Sequence, residues 1–420
     1  MNKLYLLTSE FPFGQGESFL WAELVVLKRF FSVIIIPQKS NLQCCSEFDA
    51  CSLKILEGVE IYMKHTDEKF SFISVLCEFF KVDFYAELNK DLNVSFPFVG
   101  LYTLAKFLAG YRLVKKKLAS VVYEHAISAE SSATFYSYWS MESAYALSKL
   151  KCHFPKIKLV ARCHRMDLYR EARIGSYMPV NKRFLNSFDN VVSISKHGAD
   201  YLVDNYHIDA CKVYVSRLGV VDHHHLNVPQ KNTAVHLVSC SFLVPVKRLD
   251  LLIVALEDLQ QHTDKKIIWT HFGDGPLRDK LVSLAGELLD AIDVQWMGAV
   301  TNDVVMRFYA ENDVDAFINV SGSEGIPVSI MEAHSFGVPV IATNVGGVSE
   351  IVDDSNGVLL DRNFVSGDLV SAIMYLVETD TYEKRVGIKQ KWMNKYNAEM
   401  NYIDFCRQYL CVDELLDSID

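Results

Sequence analysis

A chain of 420 residues exceeds what one ordinary hydrophobic core holds and divides most naturally into two domains of about 200 residues. Hydrophobic residues make up 50% of it and charged residues 22%, which excludes a disordered chain. A formal net charge of -10 excludes a basic footprint for nucleic acid, and no nucleic-acid partner is expected.

The ten cysteines include no Cys-x2-Cys pair, and reduced thiols in a cytosol fit them best. The opening MNKLYLLTSE runs directly into a strand-like segment rather than a signal peptide. The longest apolar runs are too short or too interrupted to span a bilayer. The expected setting is the cytoplasm, free or resting on a membrane surface.

In chain order, the strand-like runs are KLYLLT, VIIIPQ, KLVARC and NVVSIS, then HLVSCS, KIIWTHFG, DAFINVS and VPVIAT. Helical patterns separate them. Continuous apolar runs of this kind suit strands covered on both faces, hence an α/β protein with parallel sheets. A break falls near Val221–Pro229, between the two series. The expected division is residues 1–226, residues 233–390, and a helical tail over 391–420.

In the first half, TSEFPFGQGESFL places Gly14 and Gly16 after the first strand, a poor match to a dinucleotide-binding Gly-x-Gly-x-x-Gly. Glu17 opens the next helix. The stretch from Phe70 to Leu118 carries more apolar residues than a well-wetted helix and closes on Lys115-Lys116-Lys117. It reads either as helices covering the first sheet or as an interfacial patch with a basic edge for anionic lipid. His164, in ARCHRMDLY, falls at the carboxyl end of a strand, where open α/β sheets bind ligands. Ser195 and Lys196 mark another strand-to-helix turn.

In the second half, His223-His224-His225 reads as an exposed linker. Lys247 and Arg248 fall in or just before the first helical turn after HLVSCS, where cations oppose the helix dipole unless an anion offsets them. In HFGDGPLRDKL, Gly273 and Gly275 allow a turn and Pro276 starts a helix. VQWMGAV brings Gly298 to a strand end. Asp313-Val314-Asp315 opens a strand, whose alternation turns one carboxylate away from any shared metal. No metal site is expected.

The richest segment is SGSEGIPVSIMEAHSFGVPVIATNVGGVSEIV, residues 321–352. Gly325 permits close approach of backbone to a ligand, and Pro327 suits a first helical turn. The free N–H groups there, with Ile326 between the two, can hold a diphosphate. Glu332 follows four or five residues on, roughly 6–7 Å along the helix. A carboxylate at that distance can accept both hydroxyls of a ribose, while Glu324 faces the sugar side.

These segments together resemble the retaining glycosyltransferases of family 4, whose signature is Glu-x7-Glu. The likeness extends over nearly the whole chain and is strongest over 236–360. It implies a GT-B fold, two Rossmann-like doubly wound parallel-sheet domains facing each other across a cleft, with the final helix packing back on the first. It also implies roles. Lys247 neutralises the donor diphosphate; Phe242 stands where the family has an arginine, and Arg248 is the residue to compensate. Gly273 and Gly298 border the base, and Gly16 brings backbone N–H groups to the donor phosphate. Glu324 orients the sugar, Glu332 anchors the ribose, and His164, with Arg162, Asp167 and Tyr169 in matching places, shapes the reaction centre.

The implied activity is metal-independent retaining transfer from a UDP or GDP sugar, a co-substrate rather than a cofactor, by front-face attack. The implied acceptor is a glycan or lipid-linked oligosaccharide, as in capsule, O-antigen or exopolysaccharide synthesis at the cytoplasmic face of the inner membrane. Two other readings remain: another GT-B enzyme such as a phosphorylase, and a catalytically silent sugar-nucleotide-binding partner of a second transferase.

Overall fold

A computed structural model of the chain describes residues 2–14, 17, 19–39, 50–64, 71–90, 97–173, 176–180, 182–228 and 234–410. Two compact units divide them: Met1–Leu218 with Glu399–Asp420, and Gly219–Ala398.

The first unit is built on seven strands: β1 Asn2–Thr8, β2 Phe31–Pro37, β3 Glu60–Ile61, β4 Thr134–Ser137, β5 Lys158–Cys163, β6 Asn190–Ser193 and β7 Val213–Val215. Their order is β3-β2-β1-β4-β5-β6-β7, and every pairing is parallel. The chain thus winds outward from β1 in one direction, then returns and winds outward from β4 in the other. Helices cover the faces, so β4 is buried at all four positions and β5 at five of six.

The helix Pro97–Glu124 lays Leu104, Phe107, Leu108, Tyr111, Val114, Leu118 and Val121 into this core, the spacing of one helical face. It runs on past the lysine trio. Lys117 is buried and donates to the Pro37 carbonyl at 2.5 Å, so the anticipated basic edge shrinks to Lys115 and Lys116. Phe72, Phe80 and Val82 nearby in sequence are 66%, 88% and 83% exposed.

The helix Ala398–Phe405 brings Tyr402 and Phe405 into the first unit. Arg162, in β5, lies 4.1 Å from the Phe405 ring centroid and 2.7 Å from the Glu23 carboxylate, with both side chains of the ion pair fully buried. Arg162 is therefore a strut of the fold.

The second unit has six strands: β8 Ala234–Cys240, β9 Lys266–Phe272, β10 Ile292–Gly298, β11 Ala316–Asn319, β12 Val340–Thr343 and β13 Gly357–Leu360. The order β10-β9-β8-β11-β12-β13 is again all parallel, with the winding direction reversing between β8 and β11. Asp315 acts at the start of β11 as a local acceptor, taking the His236 N–H at 2.7 Å. Among the described residues no group of His, Cys, Asp or Glu could hold a metal.

The second unit begins at Gly219, just ahead of the break expected near Val221–Pro229 between the two series of strand-like runs. Val220 and Asn397 form a parallel bridge, closed by Val220 N to Tyr396 O at 2.9 Å and Ala398 N to Val220 O at 3.0 Å. Asn227 then reaches the carbonyls of Tyr309 and Asn312, each at 2.7 Å. The expected tail divides as well: the helix Tyr382–Tyr396 belongs to the second unit, where Arg385 donates to the carbonyls of Asn227 and Val314.

Candidate functional site

In each sheet, the point where winding reverses leaves the carboxyl ends of two neighbouring strands uncovered by a crossover, and ligands bind there in open α/β sheets. In the second unit these are the ends of β8 and β11. The turn Pro245–Lys247 follows β8, and residues 320–327 follow β11. Gly322 N donates to Val246 O at 2.7 Å and joins the two loops. Lys247 Nζ lies 2.5 Å from Glu324 Oε1, with the Glu324 side chain 9% exposed and that of Lys247 21%.

Arg248 is placed otherwise than expected. Its guanidinium donates to the carbonyls of Val320 and Arg362, each at 2.7 Å, and of Ser321 at 3.3 Å. It clamps the loop after β11 instead of offering its charge to a ligand. Its backbone is left-handed, φ 51°, a conformation that glycine adopts more readily than arginine.

The Glu324 loop is held from the other side by the Gly346-Gly347 turn. Gly346 has φ 55°, and a Cβ there would sit 1.9 Å from the Glu324 carbonyl oxygen. Gly347 N donates to Gly325 O at 2.8 Å, and Ile326 is buried. Pro327 is the N-cap in extended conformation, so the helix starts at Val328, one residue later than its proline suggests. Pro276 likewise precedes its helix, Arg278–Leu288.

Glu332 lies on the helix Val328–Ser335 with its carboxyl buried, Oε1 accepting from Asn302 Nδ2 at 2.6 Å. Burial pushes this carboxyl up to about 7, and the Asn302 bond works against the shift. Cys240, at the end of β8, is pushed up to about 12 by burial and by the charges of Glu332, which Lys247 partly offsets. Gly273 and Gly298 meet directly, Gly273 N donating to Gly298 O at 2.8 Å. A Cβ at Gly273 would strike the Ser241 carbonyl at 1.9 Å. Phe242, in the loop between, is 75% exposed.

In the first unit the reversal lies between β1 and β4. Gly16 falls outside the described residues. Glu17 is more than a first-turn acid: its carboxylate accepts the N–H groups of Ser9, Glu10 and Phe11 at 2.7–2.8 Å and the Trp139 indole at 2.6 Å. It ties the loop after β1 to the loop after β4. The His164 ring packs 4.5 Å from Trp139 and 4.6 Å from Tyr138, centroid to centroid. Asp167 accepts from the His164 and Ser140 N–H groups, each at 2.6 Å, and Lys182, pushed down to about 8 by burial, donates to Ser140.

His164 is 8% exposed, and neither ring nitrogen has a hydrogen-bond partner among the described residues. Burial, then the Arg162 charge, hold its imidazole well below the ordinary value, so it is neutral. A buried imidazole with two unsatisfied nitrogens is costly unless a ligand completes it. Ser195 caps the helix Lys196–Tyr206 by accepting from Gly198 N at 2.9 Å, and Lys196 pairs with Asp200.

Glu17, Trp139, Ser140, Lys182 and Asn302 were not legible as site-supporting residues in the sequence. Each acts through a partner distant in the chain, which no local pattern discloses.

Two doubly wound parallel sheets with polar clusters at their reversal points define a GT-B protein. The sequence profile of the family described as Glycosyl transferases group 1 matches residues 226–393. The O-antigen biosynthesis glycosyltransferase WbnH of Escherichia coli is 26% identical over 196 residues, 46% of this chain and 53% of that protein. The putative colanic acid biosynthesis glycosyltransferase WcaL of Escherichia coli (strain K12) is 27% identical over 215 residues, 49% and 52% of the two chains. The chain spans about half the length of these curated relatives.

Among solved structures, the lipopolysaccharide outer core galactosyltransferase WaaB in its apo form aligns with TM-score 0.66 at 14% identity, covering 97% of this chain and 99% of that one. Anabaena HepE in complex with UDP aligns with TM-score 0.66 at 17% identity, over the same shares of the two chains. At these identities the likeness is one of fold.

Proposed function

We propose that this protein is a retaining glycosyltransferase that moves a hexosyl group from a UDP or GDP sugar to a glycan or lipid-linked oligosaccharide acceptor in surface polysaccharide synthesis. The observation that carries the reading is the Lys247–Glu324 pair at the reversal point of the second sheet, next to the N-terminus of the helix bearing Glu332.

In this reading Lys247 and the first amides of Val328–Ser335 face the diphosphate, where charge grows as the leaving group departs. Glu332 accepts the ribose hydroxyls, Glu324 orients the sugar, and the backbone at Gly273 and Gly298 borders the base. His164 supports the reacting end. The leaving phosphate takes the acceptor proton in a front-face attack, so the chain mainly positions and stabilises. A fixed cation and a helix N-terminus supply the positive charge, and no metal or other cofactor is required.

The names of the relatives in O-antigen and colanic acid biosynthesis favour a surface-polysaccharide acceptor. The exposed Phe72, Phe80 and Val82 offer an apolar surface for peripheral contact with the cytoplasmic face of an inner membrane. No helix among the described residues is long and apolar enough to cross one.

The test is thermal stabilisation by millimolar UDP, GDP, ADP and CDP with EDTA present, followed by transfer assays with sugars of the nucleotide that binds. One selective diphosphate and a product of unchanged anomeric configuration are expected. Binding of none, or an inverted product, overturns the reading. Co-sedimentation with anionic vesicles tests the membrane contact, and its absence removes that part alone.

A further inference from the structure

The buried carboxyl of Glu332 has a single hydrogen-bond donor among the described residues, and that donor comes from another helix. Asn302 is the first residue of the helix Asn302–Glu311, and its Nδ2 lies 2.6 Å from Glu332 Oε1. Asn302 is exposed, whereas Glu332 is 8% exposed, so the amide reaches down from the surface onto a carboxyl at the floor of the site. The Asn302 side chain makes no other hydrogen bond among the described residues. Its one visible task is to hold Glu332.

Glu332 has two oxygens, and the amide occupies one. We propose that Asn302 is a positioning residue for nucleotide recognition: it fixes Oε1 of Glu332, so that Oε2 is aimed at, and left free for, the paired ribose hydroxyls of the donor. The proposal rests on the reading of Glu332 given above and adds a residue on which that reading depends.

An N–H donor favours the ionised carboxyl, while burial favours the protonated one, which is itself a donor and a poor acceptor. The two effects oppose each other at Glu332. The other titratable groups around it are Cys240 from β8, Tyr309 from the helix Asn302–Glu311 and, beyond Cys240, Lys247. Burial pushes Cys240 up to about 12 and holds the Tyr309 phenol well above its ordinary value. Neither changes charge between about pH 6 and 9, so over that window Glu332 is the group at this spot whose charge responds to Asn302.

The experiment is calorimetric titration of the full chain with UDP and, separately, GDP, from about pH 6 to 9. The proteins are the natural chain, Asn302→Ala, Asn302→Asp and Glu332→Gln. Taking the ratio of each variant's Kd to that of the natural chain at each pH cancels the nucleotide's own titration. Losing the amide is expected to raise the pH at which Glu332 ionises by about one unit, weakening Asn302→Ala about fivefold near pH 7 and scarcely near pH 9. Asn302→Asp places a like charge on the carboxylate and is expected to bind more weakly than Asn302→Ala throughout. The melting temperature without nucleotide reports folding, and an unchanged value is expected near pH 6, where Glu332 is mostly protonated with or without the amide.

A Glu332→Gln variant that binds like the natural chain overturns the reading of Glu332, and the proposal with it, as does binding of neither nucleotide. Loss of binding in Glu332→Gln with an Asn302→Ala ratio of one at every pH overturns the proposal alone. So does an Asn302→Ala ratio that is raised equally at all pH values, because positioning of an ionisable partner requires recovery in alkali.

Discussion

The ammonium of Lys247 lies 2.5 Å from Oε1 of Glu324, and the two residues come from loops that follow different strands of the second sheet. Each is the other's counter-charge in a site with limited water. Replacing Lys247 by Met strands a nearly buried carboxylate. The loss expected is about 2 kcal/mol of stability, below that of a fully buried pair because the lysine is partly wet. The double variant Lys247→Met, Glu324→Gln should recover most of it in urea unfolding. Nucleotide binding should stay weak in both, since the cation is gone; full binding would remove Lys247 from the donor site.

Glu332 offers a cleaner separation. Its alanine variant should lose at least tenfold in nucleotide diphosphate affinity, the scale of one charge-assisted hydrogen bond. Stability in the absence of ligand should hold or rise slightly, because a buried carboxyl with one partner is removed. Calorimetry and melting curves read the two effects independently.

Glu17 gathers four N–H donors from two loops of the first unit. In Glu17→Ala these donors lose a shared acceptor, and about 3 kcal/mol of stability should go with it even if water reaches some of them. Trp139→Phe keeps a ring beside His164 and loses one bond, so its cost should be near 1 kcal/mol. Equal costs would mean that the indole bond, rather than the backbone amides, organises the loop.

Arg162 and Glu23 form a fully buried pair under Tyr402 and Phe405. Removing one partner, as in Arg162→Met, should cost about 3–5 kcal/mol. Replacing both, with Glu23→Leu added, should restore much of the loss. A double variant no better than the single would show that packing of the guanidinium against the aromatic rings, and not charge, dominates.

Acid should weaken the second unit through its buried histidines. His271 is held down to about 4 and His334 to about 3, chiefly by burial, against an ordinary 6.5. The folded imidazoles bind protons later than the unfolded ones. Their contribution is therefore complete above about pH 6.5 and declines as the pH falls toward 4. Glu332, pushed up to about 7, acts in the opposite sense and offsets one of them. The net loss near pH 4 is roughly 3 kcal/mol from these three groups. His271→Asn should flatten the pH slope of stability by about one proton between pH 4 and 6.5; an unchanged slope would place the acid sensitivity elsewhere.

The sequence by itself determined what depends on local chemistry. Apolar runs such as VIIIPQ and KIIWTHFG carry their strand assignment because a strand covered on both faces must be apolar throughout. Glu324 and Glu332 were legible because eight residues, a loop and one helix turn fix their relation within a single segment. Short strands were not: TFYS of β4 and GVLL of β13 hold too few residues to show a period, and only their neighbours in the sheet make them strands.

Tertiary structure alone decided which charges are spent inside the molecule. Arg248 and Lys117 read in the sequence as available cations, yet their partners are backbone carbonyls far away in the chain. Conversely, the segments around Asn302 and Glu17 do not disclose their partners, and the structure gives each a carboxylate bond that shapes a loop or a site. A side chain's type is written in the sequence, but its free valence is settled by what the fold brings within about 3 Å of it.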